Sequence, residues 1–103
     1  MPDSPELWVA VMHFDIAIPG ARSLKDRRQV VKSLRDRIVS RFNVACAEVS
    51  GTESWGRASL GLSAVSNDRA FLQGLLDEIE RYARNDPGAM LGACRKDVFC
   101  YGA

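Results

Sequence analysis

Between Arg22 and Phe42 the chain carries eight basic residues, at 22, 25, 27, 28, 32, 35, 37 and 41, against two acids, Asp26 and Asp36. The stretch is net +6 in a chain whose total is +1, so everything outside it sums to −5. On a helical wheel advancing about 100° per residue from Leu24, Arg35 falls at about 20°, Arg28 at about 40°, Lys32 at about 80° and Lys25 at about 100°. Four cations then line one flank of a single rod. A ribbon of this kind can follow the phosphates of a nucleic acid, each neutralised phosphate releasing counterions. The competing use is a solvated helix face, its charges paired with Asp26, Asp36 or an acidic neighbouring element.

Arg27 stands apart, because its wheel position at about 300° lies inside the apolar stripe. Its stem packs there with the guanidinium escaping past the helix end, or it pairs with a buried acid. Glu48 can be that acid if its strand end comes round the sheet edge. A structural ion pair is favoured over a functional arginine. The Gly20-Ala21-Arg22-Ser23 turn is a further candidate, since free amides at a helix start, flanked by Arg22 and Lys25, suit an anion. His13 and Asp15, two apart, could form an acid–base pair with Ser59 or Ser63 opposite. With no cleft and no oxyanion donors around them, they read as a polar patch or a dimer contact. No catalytic residue is assigned.

Other chemistries are poorly supplied. Cys46, Cys94 and Cys100 form no CxxC pair, and an odd count argues against a disulfide framework. That pattern suits a reducing, cytoplasmic compartment. One histidine and no ligand cluster leave no metal site or cofactor to expect. The longest apolar run, Leu7–Phe14, is far below the ~20 residues of a membrane helix. The opening MPDSPELW is acidic and short, unlike a signal peptide.

The elements that must position these residues are legible from periodicity. Residues 1–6 read as a loose lead-in to one domain over 1–103. From Leu7 to Ile18, Trp8, Ala10, Met12, Phe14, Ile16 and Ile18 make an apolar phase against a mixed one, a central strand covered on one side. Pro19-Gly20 ends it. Ser23 caps a helix over 24–42, Asp26 completes something like a capping box, and Leu24, Val31, Leu34, Ile38 and Phe42 form its buried stripe. Val44–Ser50 is a second strand, Gly51–Gly56 a turn, and Arg57–Val65 a third strand with Ala58, Leu60, Leu62 and Ala64 inward. Ser66-Asn67-Asp68 caps a second helix, with Phe71, Leu72, Leu75, Ile79, Tyr82 and Ala83 at helical spacing, ending before Asp86-Pro87-Gly88. In Ala89–Tyr101 both phases of the strand are mixed, so its orientation stays open.

One-sided strands in the order β-α-β-β-α-β require both helices on one face of an antiparallel sheet. The solution is an α+β, ferredoxin-like two-layer sandwich, first and third strands central. The bare face would carry His13, Asp15, Cys46, Glu48, Arg57, Ser59 and Ser63. With no ring on the third strand and only His13 and Asp15 shown by the first, base stacking of the RNA-recognition kind is not expected, so any RNA contact is with the backbone. Val9, Val11, Cys46 and Val65 offer that face to a homodimer instead. Trp55 in the turn either anchors a partner or folds over its own edge, the second reading being favoured.

SLKDRR at Ser23–Arg28, RFNVACAEV at Arg41–Val49 and SWGRASLGLSAVS at Ser54–Ser66 together resemble one family, the YlxP-like bacterial proteins of unknown function. Gly56 and Ala58 depart from its usual larger residues, and the tail past Asp86 matches weakly. The resemblance implies a ferredoxin-like fold, no established activity, and, from gene neighbourhood, a link to translation. Residues and resemblance converge on a non-enzymatic domain that contacts RNA or a ribosomal subunit through Lys25, Arg28, Lys32 and Arg35, extended by Arg22 and Arg57. The alternatives are an ACT-like ligand-binding regulatory homodimer and an acylphosphatase-like hydrolase using the Gly20–Lys25 turn. The hydrolase lacks an Asn on the third strand to position water, although Asn43 lies nearby in sequence.

Overall fold

A period-two apolar run has one stable use in water, as a strand with one face covered. Here it becomes β1, Trp8–Ala17, with Ala10, Met12, Phe14 and Ile16 buried and the residues between them turned the other way. The other elements are α1 (Leu24–Phe42), β2 (Ala45–Glu48), β3 (Arg57–Ser66), α2 (Arg69–Arg84) and β4 (Met90–Cys100). The computed structural model describes residues 5–50 and 54–102. Most of the expected lead-in, and residues 51–53 of the expected turn, lie outside these. The strands pair antiparallel in the order β2-β3-β1-β4, with β1 and β3 central. This is the ferredoxin-like sandwich that the element order requires.

Local chemistry places α1 as the spacing predicts. Ser23 is extended (φ −160°, ψ 167°) and its Oγ accepts from the Asp26 amide at 3.1 Å. The reciprocal bond differs by one residue: Asp26 Oδ2 accepts from the Arg22 amide at 3.0 Å, not from Ser23. Asn43 ends the helix in the left-handed region (φ 51°), where its short polar side chain is tolerated. Val31, Leu34 and Ile38 pack against Phe14, Leu60 and Ile79 in one core.

Three expectations are corrected. In α2, Phe71 is 58% exposed and Leu76 is buried in its stead. Asp68 caps the helix through the Phe71 amide, and the stripe then runs Leu72, Leu76, Ile79, Ala83, leaving Phe71 beside it. In β2, Cys46 and Glu48 lie on the helix side and not on the bare face. They oppose Leu62 and Leu60 of β3, and directly opposed residues share a face. Ala45 and Ala47 are the ones turned outward. β2 is also shorter than expected, although Val49 N–H still donates to Ser59 O at 2.8 Å.

The mixed phases of β4 come in part from a shift of register. Phe14 opposes Cys94 while Ile16 opposes Leu91, so Asp15 faces two residues, Gly92 and Ala93. This β-bulge switches the strand's phase. Leu91 packs on the core before it, and Cys94 and Val98 after it.

Candidate nucleic-acid interface

The flank of α1 opposite its buried stripe presents Lys25, Arg28 and Lys32 exposed, with Arg22 exposed just before the cap. Arg35 is exposed too, but it is partly committed. Its Nε donates to the Cys46 carbonyl at 3.1 Å and its Nη1 meets Asp36 at 2.9 Å. Cys46 O points away from β3, so Arg35 covers the outer edge of β2. Lys32 Nζ also reaches Asp36, at 2.7 Å. Its hydrogen bond is the main reason the Asp36 carboxyl sits below its usual range, with the charges of Lys32 and Arg35 adding to it. Both pairs are open to water, which competes for them. Asp36 thus serves two cations at once.

Arg57 does not extend this ribbon. It follows β3's outward phase, leaving from the bare face, whereas α1 covers the other. Its carbonyl nonetheless meets α1, accepting from Arg27 Nε at 3.0 Å. Arg27 is 3% exposed and its Nη2 pairs with Glu48 Oε2, near Ser50 Oγ at 3.4 Å. Burial pushes Glu48 up, but the hydrogen bonds from Arg27 and Ser50 and the charges of Arg27 and Arg28 outweigh it, leaving the carboxyl below its usual range. Arg27 is thus an internal tie between α1, β2 and β3.

At the Gly20–Lys25 turn several of the donors are already taken within the chain. The Asp26 amide is taken by Ser23 Oγ, the Arg27 amide by Ser23 O, and the Asp26 carboxylate sits on the Arg22 amide. An anion arriving there would meet that carboxylate first.

On the bare face His13 and Asp15 are not joined. Ser59 Oγ donates to Asp15 Oδ1 at 2.6 Å, and His13 Nδ1 lies 3.3 Å from Arg95 Nη2. No His–Asp dyad forms. A shallow depression of about 850 Å³ lies over His13, Gly61 and Arg95, with Val49 folded across Gly61. Phe99, from the strand whose phase could not be assigned, reaches this face beside Val9. The thiols are quiet: burial pushes Cys46 and Cys94 up, against a small opposing pull from Arg35 on Cys46. Among the described residues no group of three or more His, Cys, Asp or Glu could hold a metal ion, and no helix is long and apolar enough to cross a membrane.

One cluster escaped sequence reasoning. Arg41 lies 5.1 Å from the Tyr82 ring centre and 5.7 Å from that of Phe42, and the two rings meet edge to face. Arg37 pairs with Asp86, whose side chain is 2% exposed, and its hydrogen bond to Asp86 holds the guanidinium above its usual value. The partners lie on α1 and beyond the end of α2, so only helix packing brings them together.

The fold and flank define a small ferredoxin-like protein with a basic first helix. A family model described as "Protein of unknown function (DUF503)" matches residues 9–95, and the chain belongs to that family. It is 40% identical over 52 residues to the uncharacterized protein YlxP of Bacillus subtilis (strain 168). That alignment covers 50% of this chain and 56% of YlxP, so the match spans about half of each. Among solved structures, the de novo designed protein Foldit4 matches with TM-score 0.56 at 16% identity, over 87% of this chain and 96% of that one. A second designed protein, LFR1 1 with ferredoxin fold, gives TM-score 0.43 at 17% identity, over 88% and 83%. The match to Foldit4 speaks to fold alone.

Proposed function

We propose that the chain binds RNA, or an RNA-containing particle such as a ribosomal subunit, through the phosphate backbone along α1. The observation that carries the reading is the clustering of Arg22, Lys25, Arg28 and Lys32, all exposed, along one flank of α1. Arg35 stands at its end, dividing its guanidinium between the flank and the β2 edge. The bare sheet face supports backbone contact over base reading, because β3 brings it Ser59 and Gly61 with no ring and β1 brings it Asp15 and the single ring of His13. A contact of this kind positions without reading sequence. The test is binding of a structured RNA measured across a salt series. A steep fall in affinity with rising salt supports the reading. Flat salt dependence, or failure to sediment with ribosomal subunits at low salt, counts against it.

A further inference from the structure

The outer edge of β4 is the longest stretch of backbone in the sheet that no strand pairs among the described residues. Which of its groups face outward can be read across the registers. Val49 N–H donates to Ser59 O, so odd-numbered residues of β3 turn their backbone toward β2 and even-numbered ones toward β1. In β1 the odd residues then turn toward β4, and Arg95, Asp97 and Phe99 turn back to meet them. Tyr101 N–H donating to Leu7 O at 2.8 Å obeys the same parity. Cys94, Lys96 and Val98 therefore point N–H and C=O away from the sheet, a template for one more strand.

The side chains along that edge fit a second copy of the same edge. Two antiparallel copies must set outward-pointing residues opposite one another, which limits the two-fold centre to a residue position. Centred on Arg95 the pairing opposes Arg95 to itself, and centred on Asp97 it opposes Asp97 to itself. Centred on Lys96 it sets Arg95 against Asp97 of the second copy, twice, on the bare face. These are non-hydrogen-bonded pairs, in which side chains approach most closely. On the helix side Cys94 meets Val98 of the second copy, and Lys96 meets its own counterpart. That last contact is relieved in advance, because each Lys96 ammonium is drawn back onto Asp77, at 2.9 Å, and Glu80 of its own α2.

We propose that this chain forms a homodimer through β4, antiparallel about a two-fold axis at Lys96, with one sheet running through both copies and two Arg95–Asp97 ion pairs across the join. The bulge at Gly92-Ala93 ends the flat edge, so the contact is short and the dimer weak, with a dissociation constant on the order of micromolar. α1 packs on β2 at the far side of each sheet, so the RNA reading above neither requires this dimer nor is required by it.

Sedimentation equilibrium of wild type, Arg95→Asp, Asp97→Arg and the double exchange tests it. Each single variant places two like-charged pairs across the join and should dimerise at least about tenfold more weakly, while the double exchange restores wild-type association. Amide exchange gives a second readout on the unaltered chain, with Lys96 and Val98 slowing at high protein concentration. A wild type that stays monomeric throughout overturns the proposal. So does a dimer indifferent to the single exchanges, which would point to the bare face instead, or an intermolecular Cys94–Cys100 disulfide, which needs the register centred on Asp97.

Discussion

Arg27, buried on the sheet-facing side of α1, pairs with Glu48 on the edge strand β2 while its Nε closes the carbonyl of Arg57 on β3. One guanidinium thereby holds three elements at the end of the sheet where β2 is only four residues long. A buried charge is tolerated when its donors are met, and strongly destabilising when a partner is taken away.

Glu48→Gln keeps the shape and removes the charge, so it should destabilise the fold by about 1–3 kcal/mol, read as a lower urea midpoint. Arg27→Met leaves both the Glu48 carboxylate and the Arg57 carbonyl without their donor but keeps most of the buried volume, and should cost less than Arg27→Ala, which adds a cavity. Equal losses for Met and Ala would mean that packing contributes nothing at this position.

The same pair sets an acid limit. Glu48 titrates below its ordinary 4.5 in the folded chain, so its contribution is complete above about that pH and is lost as pH falls through the lower folded value. Glu48→Gln should therefore lose least, relative to wild type, at the acid end. Asp36, Asp77 and Glu80 are also held low and will steepen the acid limb of both proteins, so the difference between the two curves is the quantity to measure.

At the alkaline end the sign reverses. Hydrogen bonds from Lys96 to Glu80 and Asp77 raise its ammonium from 10.5 to about 12. Its tie between β4 and α2 is complete below 10.5 and fades as pH rises through about 12. Lys96→Met should lower the melting temperature at pH 8, with the gap to wild type narrowing above pH 11. A gap independent of pH would assign the effect to packing.

For the basic flank, Lys25→Ala, Arg28→Ala and Lys32→Ala should each reduce the slope of log affinity against log salt by about one unit. Arg35→Ala should reduce it less and lower stability as well, since that side chain also covers the β2 edge. Arg84→Ala, where the guanidinium pairs with Glu80 on α2, should leave the slope unchanged.

Deleting Ala93 removes the bulge opposite Asp15. Leu91 and Cys94 then stand two positions apart, so plain alternation keeps Leu91 and the Cys94–Val98 segment on the core face, and stability within about 1 kcal/mol of wild type is expected in chemical denaturation. A loss of about 2 kcal/mol or more would mean that the bulge holds β4 in place through the local twist it adds.

Sequence periodicity by itself determined most of the architecture. The alternation at Trp8–Ile18 and Ala58–Ala64, the Ser23 cap and the stripe at Val31, Leu34 and Ile38 depend on neighbours a few residues apart, and local spacing states them directly. The placement of Arg27 in an apolar stripe also announced an internal partner. What the tertiary structure alone decided are relations across the sheet. β2 reads as two nearly equivalent faces, and only its register with Leu60 and Leu62 turns Cys46 and Glu48 toward α1. β4 carries its hydrophobic residues in both phases because a bulge, invisible to a period-two reading, switches faces at Gly92-Ala93. Arg35 looks like its exposed neighbours on a wheel until β2 arrives beside it and offers the Cys46 carbonyl. In each case the deciding contact is with a residue distant in sequence, whose position a local pattern does not encode.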